Sequence, residues 1–200
     1  MSNFEAICES MKANGMKLPS EREMLNVKGA RQAIWASLRY FIAKQGGQPV
    51  WLPEYDRVAA WLENNEGKGL LMFGGCGLGK TILGMYVIPS IILAFGGKVV
   101  KCYDMDEMNR NPDEAKSKRF VYLDDIGTES VLIDYGNKRA VFAEIMDNAE
   151  KNGNLVIVST NLDREGLENL YGSRVIDRIR STMIAIPFNG KSMRGNGNKP

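Results

Sequence analysis

Two hundred residues, 44% apolar and 25% charged, give room for one folded domain and a short appendage, and exclude a mainly disordered chain. A formal charge of +2, from 26 Lys and Arg against 24 Asp and Glu, is too balanced to indicate nucleic-acid binding by itself. The absence of histidine excludes Ser-His-Asp and Cys-His catalysis, and three scattered cysteines (Cys8, Cys76 and Cys102) support neither an ordinary zinc site nor a disulfide framework.

In chain order, MSNFEAICES shows no basic segment followed by an apolar core, so no signal peptide is expected and a reducing cytoplasm is the simplest setting. The first fifty residues read as helical. Ser20-Glu-Arg-Glu23 has the form of a capping box, and Val27, Ala30, Ile34, Leu38 and Phe41 recur at spacings of three and four until Gly46-Gly47. That stripe either packs on the main domain or binds a partner, and Trp35 and Tyr40 lie off it. Pro53 opens a further helix carrying Val58, Trp61 and Leu62 and ending near Asn64-Asn65.

Beyond it the pattern alternates, with strands expected over 69–73, 98–103, 120–124, 155–159 and 183–187. Helices are expected over 79–95, 137–151, 164–170 and 173–180. The apolar run from Met85 to Phe95 is broken by Pro89 and is short of the roughly 20 residues a membrane span needs. Strands as continuously apolar as Phe120-Val-Tyr-Leu123 and Leu155-Val-Ile-Val158 imply burial on both faces, hence a five-stranded, mainly parallel sheet in a three-layer α/β domain. The last residues, 189–200, are rich in glycine and base and read as a flexible basic tail.

Gly74-Gly75-Cys76-Gly77-Leu78-Gly79-Lys80-Thr81, followed by Ile82, fits G-x-x-x-x-G-K-[ST] and stands between an apolar strand and a helix. The glycines let successive amides converge on phosphate oxygens, Lys80 reaches the β- and γ-phosphates, and the Thr81 hydroxyl ligates Mg²⁺. Two acids ending a buried strand, Asp124 and Asp125, are costly unless they meet a cation: Asp124 fits the metal and Asp125 the activation of an attacking water. Asn161, after Leu155-Val-Ile-Val-Ser-Thr160, is placed either to hold that water or to cap the strand end. Arg174 and Arg178, four apart, share one helix face, either as solvated base or as an arginine finger offered to a neighbouring subunit.

GGCGLGKT, FVYLDDIG, VIVSTN and GSRVIDRIR, in this order, resemble the AAA+ ATPases, and within them the branch of DnaC-type helicase loaders and IstB-type transposition ATPases. The resemblance spans 51–194 and implies a P-loop core over 51–188, an N-terminal helical extension over 1–50 for partner docking, and no helical lid after the last strand. It further implies ATP and Mg²⁺ as ligands, Asp124 as Walker B acid, Asp125 as base and Asn161 as sensor 1. Arg178 becomes the trans finger with Arg174 beside it, and Arg194 a sensor-2-like arginine. Single-stranded DNA is gripped in loaders by the element before the Walker B strand, which here shrinks to 104–118 around Pro112.

The expected activity is slow, assembly-dependent ATP hydrolysis by a helicase loader or replication accessory protein, forming a ring or helical oligomer with no membrane attachment. An IstB-like regulator of a transposase, a small-molecule or nucleotide kinase, and a nucleotide-dependent adaptor with little turnover are the alternatives. Adenine contacts are expected, by position, around 48–55.

Overall fold

The computed structural model describes residues 3–127, 132–134, 137–139, 141–190 and 192, the two short strand segments by their backbone. Five parallel strands, β1 (Gly69–Gly74), β2 (Lys101–Tyr103), β3 (Phe120–Leu123), β6 (Leu155–Thr160) and β7 (Met183–Phe188), lie in the order β2-β3-β6-β1-β7. Their side chains alternate between two cores. Leu70, Met72, Phe120, Tyr122, Leu155 and Ile157 face one layer of helices, and Leu71, Val121, Leu123, Val156 and Val158 face the other. Each expected strand is present, with β2 three residues shorter at its start than 98–103.

The first layer contains α2 (Ala30–Lys44), α3 (Pro53–Glu63) and the helix that follows β1. Ala30, Ile34 and Leu38 are fully buried, so the apolar stripe of α2 packs on the main domain. At about 1.5–3 kcal/mol for each large aliphatic side chain removed from water, these contacts make α2 part of the core. Trp35 is half-buried, edge-on to Trp51 at 6.1 Å, whereas Tyr40 stays exposed beneath Lys44, whose Nζ is 4.8 Å from its ring centre. By contrast α1 (Asn3–Ala13) buries no residue.

Two expectations fail here. Ser20 to Glu23 form no capping box, because α2 begins only at Ala30 and the preceding stretch is irregular. Tertiary partners take its polar groups. The fully buried Asn65 accepts from the Leu25 N–H at 2.7 Å and donates to the Glu23 carbonyl at 2.9 Å, while the Glu23 carboxylate pairs with Arg119. Nor does a helix begin at Asn137. Residues Asn137–Arg139 form β5, paired antiparallel with β4 (Leu132–Asp134), and the amphipathic α8 runs Val141–Asn152. Asn, Lys and Arg at 137–139 add nothing to the apolar face that starts at Val141.

The helix after β1 is not uniform: α4 (Lys80–Ile82) passes into a π-helical stretch (Leu83–Val87) and then α5 (Ile88–Gly96). Gly84 seats directly on the Tyr122 ring, which a methyl group at that position would overlap. Pro89 has no N–H to offer the Met85 carbonyl four residues earlier, and that carbonyl takes the Cys102 thiol at 3.7 Å. Short helices α6 (Met105–Arg110) and α7 (Pro112–Ser117) fill the segment between β2 and β3. With α8, α9 (Arg164–Tyr171) and α10 (Ser173–Thr182) they bear on the second layer. No helix among the described residues is long and apolar enough to cross a membrane.

Candidate functional site

The strand order puts the carboxyl ends of β1, β6 and β3 side by side, and the three motifs follow those ends. After β1 the chain curls through Gly74 (φ 114°) and Gly77 (φ 76°), and the Gly75 N–H is fixed on the Phe188 carbonyl at 3.1 Å. Gly79 (φ 78°) lies against the Tyr55 hydroxyl so closely that no side chain fits there. Burial pushes the Tyr55 phenol up to about 12, so it stays protonated and donates to the Leu78 carbonyl at 3.3 Å. The loop is thereby braced from α3 and β7 at once.

Lys80, largely buried, folds back over the loop and donates to the Gly74 and Gly75 carbonyls, each at 2.7 Å, and to Asn161 Oδ1 at 3.0 Å. Asn161 turns its amide nitrogen to Asp125 Oδ1 at 2.7 Å, so one side chain links the P-loop ammonium to the second acid. Thr81 donates to Asp124 Oδ1 at 3.1 Å, which leaves its oxygen lone pairs for a cation. A hard divalent ion takes oxygen ligands and keeps several waters, so a hydroxyl and a carboxylate suit Mg²⁺ with a phosphate supplying the rest. Lys80, Thr81, Asp124, Asp125 and Asn161 line one cavity of about 610 Å³ together with Cys76, Gly77, Leu78, Gly79 and Ile82, whereas Gly74 and Gly75 do not line it.

Besides Ser159, three further lining residues, Ile42, Gln45 and Tyr86, were not expected from the sequence. They come from the end of α2 and from the π-helical stretch, and no motif marks them. Among the described residues none of 48–55 lines this cavity. Two hydroxyls were also missed. Tyr122 and Ser159 both reach Asp124 Oδ1, the latter at 2.6 Å. A polar residue inside the apolar run Leu155-Val-Ile-Val-Ser was the available signal for Ser159.

Arg174 and Arg178 lie on α10 and do not line the cavity. The Arg178 side chain is only 13% exposed, with Nε 2.5 Å from Asp147 and 3.4 Å from Glu150. Arg174 is 75% exposed and reaches Asp147 at 3.4 Å. Arg194 lies outside the described residues.

No family model and no curated protein matches the chain. Solved structures do. The DnaC helicase loader is 21% identical with a TM-score of 0.58, over 78% of this chain and 98% of that one. DnaI is 20% identical with a TM-score of 0.57, over 78% and 93%. A candidate primosome component from Streptococcus pyogenes serotype M3 is 17% identical with a TM-score of 0.52, over 85% and 86%. The shared feature is the fold, an α/β domain built on a five-stranded parallel sheet.

Proposed function

We propose that this chain binds ATP with Mg²⁺, hydrolyses it slowly, and serves DNA replication as a loader of a replicative helicase. The observation that carries the ATPase reading is the convergence of Lys80, Thr81, Asp124, Asp125 and Asn161 on one cavity at the ends of three adjacent strands. Likeness in fold to the DnaC helicase loader, over nearly the whole of that chain, supports the choice of client.

Lys80 exchanges the two loop carbonyls for β- and γ-phosphate oxygens, and the loop amides supply further donors. Thr81 and Asp124 would hold Mg²⁺, which when bound would supply positive charge against the phosphates. Asp125, oriented by Asn161, accepts a proton from the attacking water, and Asn161 reports the state of the γ-phosphate to Lys80 and Asp125 together. Arg174, the more exposed of the α10 pair, takes the place that the resemblance gives to Arg178 as the arginine offered to a neighbouring copy, since Arg178 is engaged in holding α10 on α8 through Asp147 and Glu150. With α2 in the core, the part of the N-terminal region left for a helicase is α1, whose Phe4, Ile7, Cys8 and Met11 fall on one face.

The test combines ATP-binding calorimetry with phosphate release measured across protein concentration, with and without a replicative helicase. Lys80→Ala abolishes the heat of binding. Asp125→Asn binds but turns over about 10²–10⁴-fold more slowly. Arg174→Ala binds normally and loses the rise in rate with concentration. Unchanged binding by Lys80→Ala refutes the ATPase reading, and a rate per protomer independent of concentration refutes the shared site.

A further inference from the structure

We infer that Ser159 is a positioning residue for the cation side of the site, a role it performs with Tyr122 and one that rests on the ATP and Mg²⁺ reading above. Ser159 stands near the end of β6, 2% exposed, lines the cavity two residues before Asn161, and lies inside the VIVSTN block without a role of its own there. Its Oγ donates to Asp124 Oδ1 at 2.6 Å and accepts the Asp125 N–H at 2.9 Å, and its carbonyl accepts the Ile126 N–H at 2.9 Å. One residue therefore grips three consecutive members of the turn after β3.

That turn needs a grip. Asp125 has φ 55°, a left-handed conformation that is strained for a residue with a Cβ. Tyr122, fully buried on β3, brings a second hydroxyl to Asp124 Oδ1 and lies 3.0 Å from Ser159 Oγ. Thr81 donates to the same oxygen, so the carboxylate is held by the P-loop, its own strand and the neighbouring strand at once. With both hydroxyls present, Asp124 has one orientation toward Thr81. Without Ser159 the Asp125 N–H loses its partner, and the carboxylate regains rotation before it can serve a hydrated cation.

The experiment follows a fluorescent ATP analogue bound to the full chain, titrated with MgCl₂ and, separately, in EDTA. Ser159→Ala raises the half-saturating Mg²⁺ concentration about tenfold or more and leaves EDTA affinity within about twofold, the size expected for groups that orient a metal ligand. Ser159→Thr restores the wild-type midpoint, and Tyr122→Phe, which keeps the ring, shifts it in the same direction by less. Equal loss with and without Mg²⁺, or an unmoved midpoint, overturns the inference. Should Ser159→Ala fail to fold, an unmoved midpoint in Tyr122→Phe overturns it instead. Wild-type protein that binds no analogue under either condition overturns the functional reading along with it.

Discussion

Replacing Gly84 by alanine is the sharpest test of how the fold and the site are joined. In an ordinary helix the change favours folding by about 1 kcal/mol. Here the added methyl overlaps Cε2, Cζ and Oη of Tyr122, a ring with no exposed surface on a strand flanked by β2 and β6. Neither side can yield without moving the sheet or the π-helical stretch, so the overpacking cost of about 1–3 kcal/mol applies at its upper range. The net expectation is a loss of roughly 1–2 kcal/mol, and a melting temperature about 2–8 °C lower for a chain of this size. Thermal and urea unfolding of Gly84→Ala give the first measurement. Tyr122→Leu in the same background relieves part of the penalty, so the two effects are non-additive. A Gly84→Ala protein as stable as wild type, or strictly additive effects, refutes the argument.

Leu38→Ala, at a position with no exposed surface on α2, is expected to cost about 2–5 kcal/mol in urea unfolding. A loss below about 0.5 kcal/mol would return α2 to the status of an appendage. Burial first and the nearby Asp124 carboxylate second push the Cys102 thiol from 9.0 up to about 11. The native state holds that proton where the unfolded chain releases it, so the contribution is complete below about pH 9 and is lost as pH rises toward 11. Urea midpoints of Cys102→Ala therefore fall less steeply over that window than those of wild type, and parallel curves would contradict the assignment.

Much of the architecture was legible in the amino-acid order because its signals are local. A proline opening α3, an apolar run before a glycine loop, and paired acids closing β3 each carry their cause within a few residues. The P-loop residues, Asp124, Asp125 and Asn161 could be named for the same reason: phosphate and metal chemistry admits few side chains at those spacings. Where local and distant preferences conflicted, the distant ones prevailed. Ser20 and Glu23 form a sound capping pattern, yet Asn65 and Arg119 hold that segment outside any helix.

Sequence alone marked the five strands of the main sheet, most of its helices and the side chains whose chemistry suits a triphosphate, since these follow from periodicity and the chemistry of single residues. Tertiary structure alone decided that β6 lies between β3 and β1, and this order sets Ser159 and Asn161 between the acids and the P-loop. It also brought Ile42 and Gln45 from α2 to the cavity and clamped Arg178 on Asp147 while leaving Arg174 exposed. Contacts between residues tens of positions apart leave no local period in a sequence, and they exist only once the sheet has fixed its strand order.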